Sequence, residues 1–137
     1  MNGATNTQRA LWMVLITSLA APFLASLTCC ALMIVLPVLG LPLPPFASDD
    51  HAASAVAIFA WSALPATVAA LGLVPYVLQS GTFGWLHAAV AGVLAFGASA
   101  VILNFDGGGV MPLLAFLAGL IAVLMRAFLL RTGIITP

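Results

Sequence analysis

The side chains able to do chemistry are few and fall at four places. Cys29 and Cys30 stand side by side, Asp49, Asp50 and His51 run consecutively, His87 follows Trp85 by two positions, and Arg126 interrupts an apolar run. Adjacent thiols suit a soft metal, because thiolate sulfur is a soft ligand. Carboxylates beside an imidazole suit a divalent cation. An arginine inside an apolar run suits a partner's carboxylate, a lipid headgroup or an anionic substrate.

The spacing turns most of these residues toward structural roles. Neighbours on a helix point about 100° apart, so two adjacent sulfurs chelate poorly, and packing as small apolar thiols is the expected use of Cys29 and Cys30. Three consecutive residues rarely converge on one ion, and Ser48-Asp-Asp-His51 reads instead as the start of a helix, with a capping oxygen and negative charge at the positive end of the dipole. Arg126 follows Ala122 by four positions, about one turn from the end of its apolar run, where an arginine snorkels to the interface. No metal and no cofactor is expected, and His51 and His87, placed about a membrane apart, cannot share a haem.

The elements that must hold these residues follow from composition. Of 137 residues 64% are hydrophobic and 4% charged, values that a soluble domain needing a wetted surface does not tolerate. Lysine and glutamate are absent and the net charge is zero, so no basic face exists to neutralise nucleic-acid phosphates. Residues 1–137 read as a single membrane domain, all-α, with spans at about 11–38, 52–78, 85–103 and 110–130. At about 1.5 Å per residue each matches or exceeds a hydrocarbon core of about 30 Å. The apolar run after Arg9 continues through Leu39, longer than a signal-peptide core, so a retained first span is expected.

Charge placement predicts the topology. Arg9, Arg126 and Arg131 lie toward the two ends, whereas Asp49, Asp50 and Asp106 lie in two interior breaks. Four crossings with antiparallel neighbours and both termini on one side put every arginine in the cytoplasm of a bacterium, the arrangement that the positive-inside rule selects. Trp12, Tyr76 and Trp85 fall on the arginine side, in the headgroup layer, and Trp61 falls near mid-membrane. The link from Gly40 to Pro45 contains three prolines and is expected to be extended. Residues 104–109 read as a flexible turn, with Pro112 in the first turn of the last helix. Pro22 and Pro65 predict kinks whose freed carbonyls are met by the Ser18 and Ser62 hydroxyls.

Within the spans, small residues recur at helical spacing. Ala88, Ala91, Gly92, Ala95 and Ser99 share a face of the third span opposite Val90, Val93, Leu94 and Val101. Ala115, Ala118, Gly119 and Ala122 do the same in the fourth, and Ser18, Ala21, Ala25 and Cys29 in the first. Small faces admit close backbone approach, so they are expected to meet protein while the bulky faces meet lipid. The second span is small on nearly every side and is expected to be the most enclosed.

A Cys-Cys pair in a first transmembrane helix resembles the small mercury-uptake proteins, and the resemblance covers those two residues only. Those proteins place a proline close after the pair and carry further cysteines. Here Pro37 comes seven positions after Cys30 and the chain has 2 cysteines in all.

Function is read mainly from what the spans lack. No span contains Asp or Glu, which argues against a proton-coupled transporter and against the small multidrug exporters of similar length. No nucleophile and base at catalytic spacing and no glycine-rich phosphate loop are present. The expected function is non-enzymatic: a small accessory subunit in the bacterial inner membrane, packing against other integral membrane subunits through its small faces and Arg126, with membrane lipid around it. The alternative is a homo-oligomeric channel, holin or metal-uptake protein whose path runs past Pro22, Pro65, the neighbouring hydroxyls and, for metal uptake, Cys29 and Cys30.

Overall fold

The computed structural model describes residues 3–43, 47, 49–106 and 108–136. Pro44, Pro45, Ser48 and Gly107, which the sequence assigns to the links, lie outside the described residues. The described residues form α1 (Asn6–Val38), α2 (His51–Ser80), α3 (Trp85–Ile102), a short 3-10 turn (Gly108–Val110) and α4 (Met111–Arg131), with no strand among them. All four α-helices are long and apolar enough to cross a membrane.

Local chemistry sets the ends of these helices. α1 begins five residues before the apolar run because Thr5 and Gln8 form a capping box: the Gln8 N–H donates to Thr5 Oγ1 at 3.3 Å and the Thr5 N–H to Gln8 Oε1 at 3.1 Å. α2 is capped by Asp50, whose Oδ1 accepts from the Ala52 and Ala53 N–H groups at 3.0 and 3.1 Å. α1, α3 and α4 end in the same way. In each, a residue with positive φ (Gly40, Asn104 or Gly133) turns the chain so that the next N–H reaches back five residues, to the Leu36, Ala100 or Leu129 carbonyl. This closure satisfies carbonyls that a helix end otherwise orphans.

A contiguous hydrophobic core lies at the end that carries the arginines. Ala10, Met13, Leu73, Val77, Phe83, Ala88 and Leu129 form a core there that is completed by the C-terminal tail, with Ile134 and Ile135 at 4% and 1% exposure. Hydrogen bonds tie the pieces together: Asn6 Nδ2 to the Leu78 carbonyl, Arg9 Nη1 to the Ile134 carbonyl, and the Thr136 N–H to the Gly81 carbonyl. Farther along, Thr67 Oγ1 lies 3.2 Å from Ser18 Oγ, and Ser26 Oγ donates to the Ala55 carbonyl at 2.6 Å, so α1 and α2 stay joined over their length.

The two hairpins differ in reach. α3 has 18 residues, and Phe105, just beyond it, packs on Trp61 with ring centroids 4.9 Å apart. Trp61 is ten residues inside α2, so the start of α2 and its α1 partners extend about 15 Å past the α3–α4 turn. Trp61 also packs on Phe96 of α3, with ring centroids 5.6 Å apart, so it lies between that residue and the turn. One expectation changes. The most enclosed helix is α3, with 33% of its apolar window buried against 22% for α2, because α2 has 30 residues against 18 in α3 and part of its length runs beyond α3.

Candidate functional site

Arg126 is 8% exposed and sits at the arginine end. Its Nε donates to the Phe83 carbonyl at 2.6 Å and its Cζ lies 4.2 Å from the centroid of the Trp85 ring. The ring face attracts the cation and the carbonyl fixes its orientation. Among the described residues no carboxylate lies within ion-pair distance, and neither Nη1 nor Nη2 finds an acceptor. The arginine thus turns inward onto the loop before α3 and onto the first residue of that helix, instead of extending along the surface.

The small faces of α3 and α4 close on each other within the chain. A Cβ at Gly92 would stand 2.7 Å from the Ala118 carbonyl oxygen and 2.8 Å from Ala122 Cβ, and one at Gly119 would stand 3.1 Å from Val93 Cγ2. Ala88, Ala95 and Ser99 are buried on the same helix, while Ala115 is half-buried. Val90, Leu94 and Val101 are exposed, as the face assignment requires, whereas Val93, though 40% exposed, also reaches toward Gly119 of α4.

Between α1, α2 and α4 the packing opens into a cavity of about 280 Å³. α1 meets α4 more sparsely than it meets α2, and small residues at Ala21, Ala25 and Ala66 leave the space unfilled. Cys29 and Ser62 lie on the wall, with Leu117 and Phe96 opposite the alanines. Cys29 is 8% exposed and Cys30 is half-buried on another side of α1, so the two thiols are not presented together. Pro65 also lines this cavity and leaves the Trp61 carbonyl without its usual donor. The Ser62 hydroxyl does not replace that donor: it turns to the Ile58 carbonyl at 2.6 Å.

No family model, curated protein or solved structure matches the chain. Its own residues therefore carry the functional reading.

Asp50 is engaged as a helix cap, and His51 Nδ1 lies 3.3 Å from the Asp49 carbonyl oxygen. His87 packs on Tyr76, ring centroids 4.7 Å apart, at the other end of α2. Among the described residues no three His, Cys, Asp or Glu side chains are grouped to hold a metal ion. Sequence reasoning missed Phe83 and Trp85 as the partners of Arg126, although the placement of Trp85 on the arginine side was a usable signal. It also missed the Thr82 hydroxyl, which is buried without a hydrogen-bond partner, and no sequence pattern marks such an atom.

Proposed function

We propose that this chain is a non-enzymatic accessory subunit of a larger complex in the bacterial inner membrane. In this reading its four helices cross as antiparallel neighbours, and both termini lie in the cytoplasm with the three arginines. The observation that carries the proposal is the excess reach of the outer α1–α2 pair. α3 at 18 residues already approaches the roughly 30 Å of hydrocarbon, so the pair continues where α3 and α4 no longer flank it. Its sides there are apolar: Ile34 and Val38 on α1 and Val56 on α2 are 62%, 82% and 69% exposed. An apolar surface of this kind, standing beyond the hydrocarbon that α3 already crosses, suits the apolar surface of a membrane-anchored partner rather than an acidic or basic one. The small faces of α3 and α4 then hold the subunit together, and the outer pair meets the partner.

The experiment is photo-crosslinking from position 56 in native membranes, followed by purification in mild detergent. The expected result is a crosslinked integral membrane protein that co-purifies with the chain. Recovery of a lone, uncrosslinked monomer overturns the proposal. The orientation is tested separately, with Cys29 and Cys30 replaced by serine and new cysteines at positions 106 and 131. An impermeant maleimide should label position 106 in intact cells and position 131 only after lysis.

The cavity favours a second reading, a homo-oligomeric channel, holin or metal-uptake protein. Pro65, Ser62 and Cys29 line one continuous space, the groups such a path would use. Flux through liposomes containing only the purified chain supports this reading, and its absence removes it.

A further inference from the structure

The segment from Thr82 to His87 gathers hydrogen-bond donors that find no acceptor among the described residues. Gly84 caps α3 without a side chain, so the N–H groups of Trp85, Leu86 and His87 have no acceptor among the described residues. Such a first turn carries the positive end of the helix dipole. Arg126, 8% exposed as a whole residue, adds a guanidinium held over Trp85 by the Phe83 carbonyl, with both Nη groups unpaired among the described residues. Thr82 adds a buried hydroxyl oxygen with no partner.

A buried cation is costly without a counter-charge, and the three aspartates, all in the interhelical links, supply none. Backbone N–H groups, a guanidinium fork and a hydroxyl form a set of donors, and their complement is a compact anion rich in acceptor oxygens. Access is available at this place, since Trp85 is 50% and Leu86 74% exposed.

We infer that the first turn of α3, together with Arg126 and Thr82, binds a phosphate group. The exposed apolar residues beside it favour the headgroup phosphate of an anionic phospholipid as the source, with free phosphate as the other source of the same chemistry. The Arg126 Nη groups and the α3 N–H groups take the phosphate oxygens, and Trp85 lies against the glycerol region. This inference does not depend on the accessory-subunit reading.

The test is native mass spectrometry of the delipidated full chain, titrated separately with phosphatidylglycerol, diacylglycerol and inorganic phosphate. Phosphatidylglycerol should bind about tenfold or more tightly than diacylglycerol, the effect of a hydrogen bond to a charged group. Arg126→Gln should lose about tenfold in that affinity and Thr82→Val a few-fold, whereas Arg131→Gln, exposed at the same end, should stay within about twofold. Tight binding of inorganic phosphate that follows the same variants upholds the site and assigns it to the soluble anion. Equal binding of phosphatidylglycerol and diacylglycerol, with no binding of phosphate, overturns it. So does phosphate-dependent binding that both site variants leave unchanged. If Arg126→Gln does not fold, Thr82→Val decides, because it removes a donor and leaves the charge in place.

Discussion

Gly92 of α3 lies so close to the Ala118 carbonyl oxygen of α4 that a Cβ on it would stand 2.7 Å away, nearer than real Cβ contacts come. The obstacle is backbone, so it cannot swing aside as a side-chain tip could. Gly92→Val should therefore force the helices apart and lower stability by about 1–3 kcal/mol or more, the usual cost of overpacking. Gly97, on the same helix with nothing within 4 Å of its Cβ position, is the control. Gly97→Ala should change stability by less than about 1 kcal/mol. Thermal unfolding in a single detergent compares the two, and equal melting temperatures would refute the close crossing.

Ile135 is 1% exposed although it lies beyond the last helix, packed in the same core as Met13 and Val77. Ile135→Ala should cost about 2–5 kcal/mol, as truncation of a buried isoleucine does. The same change at exposed Ile102 should cost far less in detergent. Chemical denaturation of both variants measures the difference, and similar losses would mean that the tail is not part of the core.

The cavity predicts opposite responses to added volume. Ala66→Leu places methyl groups in the space between α1, α2 and α4 and should be neutral or stabilising by up to about 2 kcal/mol. Ala88→Leu introduces the same groups at a position with 0% exposure and should destabilise by about 1–3 kcal/mol. Melting temperatures that fall together for both would show that the cavity is filled by protein.

The adjacent thiols should react unequally. Cys29 is buried against the cavity wall and Cys30 is more accessible, so N-ethylmaleimide should modify the Cys29→Ser variant, which retains Cys30, faster than the Cys30→Ser variant. Mass spectrometry of a time course reads both rates, and the reverse order would contradict a rotation of α1 that turns Cys29 toward the cavity.

Several features are local properties and were legible before any packing was known. Four apolar runs of sufficient length follow from composition, and the exposed faces of α3 follow from residue spacing, because both depend on which neighbours share a helix turn. The capping role of the Asp50 region was legible for the same reason. The start of α1 was missed because Thr5 and Gln8 precede the apolar run that marks the span, although a Thr-x-x-Gln box is itself a local signal.

The sequence by itself determined that the chain is made of apolar helices, where they break, and which faces carry small residues, since side-chain size and hydrogen-bonding capacity act within a few residues. Tertiary structure alone decided the longer reach of the α1–α2 pair, the cavity that α4 leaves open against α1, and the turning of Arg126 onto Phe83 and Trp85. Each of these joins segments distant in the chain, and their relative heights and separations are set by how whole helix surfaces interlock.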